Sequence, residues 1–114
     1  MSKNIQIALV SKETLPVFYI INEFRPDEVF LVGTEETTLE MEQIERSAAK
    51  MGTVCHQLIT KADDMAYTMK QCESVHERCG DDACYCYNLT CGTKLMAFGA
   101  LMCAQKHQAQ VVYS

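Results

Sequence analysis

The segment from Asn88 to Lys94 places two threonine hydroxyls, a glycine and a lysine within seven residues. Successive backbone N–H groups at the start of a helix bind anions, and the ammonium group of Lys94 adds positive charge. The spacing does not fit the phosphate loop of ATPases, because no glycine lies five residues before Gly92. The segment therefore predicts an anion-binding turn. The alternative is an ordinary strand-to-helix turn that is capped by Thr90 or Thr93.

The elements that must position this turn alternate between strand and helix along the whole chain. Short apolar runs predict strands at 5–10, 28–32, 54–59, 83–89 and 110–113. Amphipathic or apolar stretches predict helices over 38–51, 61–78 and 93–107. This alternation is typical of an α/β fold with a doubly wound, mostly parallel five-stranded sheet and helices on both faces. One domain spanning 1–114 is expected.

The first helix is predicted against local propensity, because 17–21 is rich in β-branched and aromatic residues. Thr14 is a candidate N-cap, and Pro16 suits the first helical turn. Arg25 and Pro26 then end a helix of about three turns.

Ligands of a doubly wound sheet bind beyond the carboxyl ends of its strands, where the strand order reverses. The first and fourth strands usually flank that point. The two loops that we expect to form the site are therefore 11–14 and 88–94.

The composition restricts the class of partner. The chain carries 10 Lys and Arg against 15 Asp and Glu, a formal net charge of -5. This balance argues against binding to duplex DNA, which depends on many basic side chains. The sequence contains neither a long apolar run nor a secretory signal, so we expect a cytoplasmic protein that does not bind membranes. Its seven cysteines are accordingly interpreted as thiols.

The residues at 88–97, Asn-Leu-Thr-Cys-Gly-Thr-Lys-Leu-Met-Ala, resemble the N-x-T-G-G-T-K-x-M-A signature of CARF domains. These are Rossmann-like sensors of CRISPR defence that bind cyclic oligoadenylates. Weaker matches follow in the family's order: Leu9 to Ser11 with Pro16, and the segments 25–29 and 34–37. The resemblance covers essentially the whole chain.

The resemblance implies a set of ligand-binding residues. The first loop would contribute Ser11, Lys12, Glu13 and Thr14, the end of the second strand Thr34 and Glu35, and the second loop Asn88, Thr90, Cys91, Gly92, Thr93 and Lys94. Cys91 stands where the family usually has glycine. Its Cβ restricts positive φ angles, and its thiol lies beside the expected ligand.

The resemblance also implies a homodimer in which two copies of each loop surround one cyclic ligand. Cyclic tetra-adenylate is the favoured ligand, since its own two-fold symmetry matches such a dimer. The stretch from Leu95 to Cys103 has almost no polar face. Its apolar surface is explained either by a partner protomer or by packing under the sheet.

Some members of this family are ring nucleases that open the cyclic ligand. In such a reaction a ribose 2'-OH attacks the adjacent phosphate without a metal or cofactor. Lys94 and Thr90 would then stabilise the developing charge, and Ser11 would orient the reacting groups. Neither loop contains a histidine, which points to slow cleavage or to none.

The chain length favours a free-standing protein that cleaves or sequesters the signal, since 114 residues leave no room for an output domain. One alternative is a sensor domain excised from a larger effector nuclease. A weaker alternative is a generic nucleotide-binding α/β protein.

Other combinations of reactive residues carry a weaker signal. Cys79, Cys84, Cys86 and Cys91 have a C-x4-C-x-C-x4-C spacing, which lacks the paired C-x2-C of structural zinc sites, so no metal site is expected there. Cys55 and His56 should point to opposite faces of a strand. His76 and His107 are expected to be solvated surface residues.

Overall fold

The computed structural model describes residues 2–113. The elements, in chain order, are β1 (Asn4–Leu9), α1 (Leu15–Phe24), β2 (Glu28–Gly33), α2 (Thr38–Ala49), β3 (Val54–Ile59), α3 (Met65–Cys79), β4 (Cys84–Asn88), α4 (Lys94–Lys106) and β5 (Gln110–Val112). A short 3-10 turn, Glu35–Thr37, precedes α2. The predicted alternation of strands and helices is confirmed.

The five strands form one sheet in the order β3-β2-β1-β4-β5, and every neighbouring pair is parallel. The order reverses between β1 and β4, which pair directly, with Ala8 opposite Asn88. This is the switch point that was expected to be flanked by the first and fourth strands.

Alternate residues of β1 enter two separate cores, because side chains of a strand point to opposite faces. Ile7 and Leu9 pack with Met96 of α4 and with residues of α3 on one face. Ala8 and Val10 pack with residues of α1 and α2 on the other face. The sheet therefore has two helices on each face, as a doubly wound fold requires.

The first helix forms in spite of its β-branched residues. Pro16 lies in its first turn, and Arg25 ends it in a left-handed conformation with its N–H donating to the Ile21 carbonyl. Thr14 occupies the N-cap position, but its side chain makes no capping hydrogen bond.

One predicted helix boundary was wrong. The third helix begins at Met65 and not at Lys61, because the Asp64 carboxylate accepts the Tyr67 N–H at 2.9 Å and caps the helix there. In the second helix, Met41 faces the core, whereas Leu39 is 75% exposed. Within residues 2–113, no helix has the length and apolarity needed to span a membrane.

Candidate functional site

The two predicted loops lie side by side at the carboxyl ends of β1 and β4. The thiol of Cys91, in the second loop, lies 3.7 Å from the Glu13 carbonyl oxygen in the first. A further contact joins the first loop to the turn after β2, since the Lys12 ammonium donates to the Glu36 carbonyl at 2.5 Å. The loops therefore form one continuous edge of the molecule.

Asn88 organises the start of the second loop. It is 1% exposed, and its Oδ1 accepts hydrogen bonds from the Thr90 backbone N–H at 3.2 Å and from the Thr90 hydroxyl at 2.7 Å. Its Nδ2 is buried and has no hydrogen-bond partner in the described chain. An unpaired buried donor is costly, so this amide is suited to an acceptor supplied by a ligand.

Thr93 is the N-cap of α4. Its hydroxyl oxygen accepts the Met96 N–H at 3.2 Å and donates its proton to the Ala62 carbonyl at 2.5 Å, which also fixes the loop before α3. Thr93 is therefore the one of the two candidate threonines that caps α4. The amides of Lys94 and Leu95 belong to the first helical turn, which has no intrahelical acceptors, and they remain for an anion.

Gly92 is exposed and has a φ of 90°. Side chains rarely adopt that conformation, and an added Cβ would also lie 3.2 Å from both Leu9 and Met96. Cys91, by contrast, does not have a positive φ and is 9% exposed. Its thiol packs into the core beside α1 and α2 rather than facing the open edge.

The two lysines of the site differ in whether an acidic side chain neutralises them. Lys12 pairs with the Glu40 carboxylate at 3.7 Å in addition to its contact with Glu36. Lys94 is exposed and has no acidic partner among residues 2–113. Lys94 is therefore the lysine whose charge is available at the helix N-terminus.

Ser11 and Thr14 are half-buried in the first loop. The Ser11 hydroxyl accepts the Glu13 N–H at 3.3 Å, which shapes the loop around its own backbone. Glu13 itself is exposed.

A cavity of about 560 Å³ lies beyond the carboxyl ends of β2 and β3. The predicted residues Thr34 and Glu35 line it, together with Lys61 and Tyr67. The Lys61 ammonium lies 4.9 Å from the centre of the Tyr67 ring. Sequence reasoning missed these two residues because it placed Lys61 inside the third helix. The capping pattern at Asp64 was the signal that could have placed this segment in a loop.

The prediction for His76 was wrong. It is 6% exposed, and its Nε2 lies 2.6 Å from the Tyr87 hydroxyl. Burial lowers the pKa of His76 to about 4. His107 is half-buried, and its Nε2 forms a hydrogen bond with the Glu73 carboxylate at 2.8 Å.

One group of side chains in the described chain could hold a metal ion, namely His76, Cys103 and His107. It does not include any of the four cysteines whose spacing was considered above. Cys55 is buried, whereas the His56 Nε2 lies 2.7 Å from the Glu28 carboxylate, so these neighbours do not act as a pair.

An all-parallel doubly wound sheet with a polar loop and a helix N-terminus at its switch point defines a Rossmann-like type of α/β domain. The family model of the Card1 CARF domain matches residues 5–114. The chain therefore belongs to the Card1 CARF domain family, and the resemblance noted from 88–97 is confirmed. No curated protein sequence is significantly similar to the chain.

Three solved structures share the fold. Can2 from Sulfobacillus thermosulfidooxidans, in complex with cyclic tetra-adenylate, has a TM-score of 0.87 at 20% identity over 96% of this chain. A type III CRISPR defence DNA nuclease that is activated by cyclic oligoadenylate has a TM-score of 0.82 at 23% identity over 100%. Csm6 from Enterococcus italicus, bound to cyclic hexa-2'-fluoro-hexa-dAMP, has a TM-score of 0.66 at 16% identity over 99%. The chain covers 31%, 19% and 33% of those three chains, respectively.

Proposed function

We propose that this domain binds cyclic tetra-adenylate across a two-fold homodimer, in the manner of a CRISPR signal sensor. The observation that carries the proposal is the grouping, at the switch point, of an exposed unpaired Lys94, the unpartnered Asn88 amide and the N-terminus of α4. All three favour an anion, and a cyclic oligoadenylate presents phosphates at regular intervals.

The charge of the chain suits a small ligand better than a long nucleic acid. With a net charge of -5, the domain lacks the extended basic surface that a duplex requires. A dimer would supply two copies of Lys94, placed by symmetry on opposite sides of one ring. Two local cations and two helix N-termini then face the phosphates of a single ligand.

The outer surface of α4 supports the dimer. Leu95, Phe98 and Met102 are 39%, 53% and 47% exposed and follow one another at helical spacing. The opposite side of α4 packs under the sheet through Met96 and Ala100. Packing under the sheet therefore explains one face of this apolar helix, and a partner protomer would cover the other. The exposed face begins beside the anion site, so a partner seated on it would bring its own loops to the same ligand.

The cavity beside Thr34 is suited to a base of the ligand. Tyr67 is 37% exposed, and adenine would stack on the part of its ring that the Lys61 ammonium does not cover. The Glu35 carboxylate lies in the same cavity and can accept hydrogen bonds from an exocyclic amino group.

The domain would remove the ligand in one of two ways, by sequestering it or by opening its ring. Ring opening, the second, needs only that a ribose 2'-OH be held in line with the adjacent phosphorus while the 5'-oxygen leaves. Lys94 and Thr90 would stabilise the charge that develops on the phosphate, and Ser11 would orient the attacking hydroxyl. The same binding site would also serve as the sensor of a longer effector.

The test is incubation of the purified protein with cyclic tetra-adenylate, followed by measurement of binding and separation of the products. Linear products would identify a ring nuclease, whereas retained intact ligand would identify a sensor or a sequestering protein. Absence of binding, or equal binding of unrelated nucleotides such as flavins, would refute the proposal.

Lys94→Ala is the decisive variant. A dimer loses two charge-assisted contacts, each worth about 1.5–3 kcal/mol. The dissociation constant should therefore rise by about a hundredfold or more. Lys70→Ala, an exposed lysine of α3, is the matched control and should leave binding unchanged. Equal affinity of Lys94→Ala and the parent protein would show that the switch point is not the site.

A further inference from the structure

A second cluster of donor side chains lies between α3 and α4, near the C-terminal ends of both helices. His76 comes from α3, Cys103 comes from α4, and His107 directly follows α4. One ligand atom from each of the three lies within 4.8 Å of the other two. This cluster stands apart from the loops at the switch point, and the proposed function does not use it.

Glu73 and Tyr87 complete the surroundings of this cluster. The Glu73 carboxylate lies 2.8 Å from the His107 Nε2 and 3.5 Å from the Cys103 Sγ. The Tyr87 hydroxyl donates to the Cys103 Sγ at 3.2 Å and contacts the His76 Nε2 at 2.6 Å. When the His76 Nε2 carries the proton, the hydrogen bonds run in one direction, from His76 to Tyr87, from Tyr87 to Cys103 and from Cys103 to Glu73. The His76 Nδ1 then keeps its lone pair.

We propose that His76, Cys103 and His107 bind a divalent transition metal of the zinc type, and that the Glu73 carboxylate, which lies outside this group of three but contacts Cys103 and His107, moves in as the fourth ligand. Two imidazole nitrogens, one thiolate and one carboxylate form a donor set that suits tetrahedral Zn²⁺. Residues three and four positions apart on a helix share a face. Two donors, Glu73 and His76, therefore face the gap between the helices from α3. Two more, Cys103 and His107, face it from the end of α4. Tyr87 would remain as the outer hydrogen-bonding partner that holds the His76 ring.

Binding requires a defined local movement. Ligand atoms around tetrahedral zinc lie about 3.3–3.8 Å apart, so the cluster must contract by roughly 1 Å. The rings of His76 and His107 are stacked, with centroids 3.7 Å apart and planes 6° from parallel. The lone pair of an imidazole lies in the plane of its ring, so two parallel rings cannot both point at one ion. His107 follows the end of α4 and its side chain is 23% exposed, so it is the ring that turns.

Metal binding releases one proton, from the Cys103 thiol, to the solvent. Both imidazoles bind as neutral rings, and the Cys103 thiol gives up its proton as the sulfur–metal bond forms. Lys106 contacts Glu73 at 3.4 Å through an exposed side chain and can move away as the metal takes its place. Metal affinity should therefore increase with pH.

The test is a titration of the reduced protein with Co²⁺ as the probe. A thiolate-to-cobalt charge-transfer band should develop and saturate at one ion per chain, and Zn²⁺ should abolish it. Cys103→Ala should remove the band. Cys86→Ala, a half-buried cysteine of β4, is the matched control and should keep the band.

A second variant guards against a folding defect in Cys103→Ala. His107→Gln changes a partly exposed side chain and should lower the cobalt affinity at least tenfold, with an unchanged circular dichroism spectrum. Absence of the band in the folded parent protein would overturn the proposal, and so would a band of equal strength in folded Cys103→Ala. Cyclic tetra-adenylate plays no part in this titration, so failure of the metal proposal would be distinguishable from failure of the proposed function.

Discussion

The loop edge at the switch point, formed by 11–14 and 88–94, differs from the cluster between α3 and α4 in how its polar groups are paired. At the loop edge, Lys94 is exposed and unpaired, and the Asn88 amide has no partner in the described chain. In the cluster, His76, Tyr87 and Cys103 are buried and bonded to one another. An exposed lysine above a buried, unpaired amide is suited to a polyanion, whereas mutually satisfied buried groups stabilise the fold until an ion replaces their contacts. The two regions should therefore respond independently to mutation.

The largest expected effect at the loop edge comes from Phe98→Glu. A carboxylate on the exposed apolar face of α4 should prevent dimerisation, because burying an unpaired charge in an apolar interface is costly. The ligand then loses the charge-assisted contacts of one protomer, about 4 kcal/mol or roughly a thousandfold in affinity. Analytical ultracentrifugation and ligand titration measure the two consequences.

Leu39→Glu is the matched control for Phe98→Glu, since Leu39 is a similarly exposed apolar residue on α2. It should leave both the dimer and the ligand affinity unchanged. Phe98→Glu should not alter the cobalt titration, because Phe98 lies outside the cluster. Retention of the dimer in folded Phe98→Glu would show that another surface forms the interface.

The next effect concerns the cluster alone and depends on pH. His76 has a pKa of about 4 in the folded protein because it is buried, against 6.5 when exposed. Below pH 6.5 the unfolded chain binds a proton that the native state excludes. The contribution of His76 to the free energy of unfolding should therefore fall by about 3 kcal/mol in all as the pH drops from about 6.5 to about 4. The titratable and charged groups around it are Glu73, Asp81, Tyr85, Tyr87, Cys103, Lys106 and His107.

Urea unfolding at several pH values measures this loss. His76→Gln should remove most of the decrease between pH 6.5 and pH 4. His56→Gln, which changes the histidine of β3 that pairs with Glu28, should retain the contribution of His76. An undiminished pH dependence in His76→Gln would assign it to other groups. The ligand affinity of folded His76→Gln near pH 7.5 should equal that of the parent.

The same contrast explains what the sequence could predict. The loop edge is encoded by consecutive residues, since Asn88, Gly92 and Lys94 lie within one segment between a strand and a helix. Strand and helix alternation then fixes which loops meet, because parallel strands bring their carboxyl ends together. The role of Thr93 was predicted only as an alternative, since capping and ligand binding require the same hydroxyl.

The cluster could not be predicted in this way. Glu73 and Cys103 belong to different helices, 30 positions apart, and they meet only through the packing of α3 on α4. His76 lies on a helix with many polar residues, so periodicity alone favoured an exposed side chain. Its burial depends on Tyr87, whose hydroxyl supplies the partner that a buried imidazole needs.

The smallest expected effect separates positioning from ligand contact at the loop edge. Thr93→Ala removes the cap of α4 and the hydrogen bond to Ala62, so the free energy of unfolding should fall by about 1 kcal/mol. Ligand affinity should fall only a few-fold, because the hydroxyl is already engaged within the protein. Thr93→Ser keeps the hydroxyl and should restore both quantities in urea unfolding and ligand titration. A hundredfold loss of affinity in Thr93→Ala, at equal stability, would instead make Thr93 a direct contact of the ligand like Lys94.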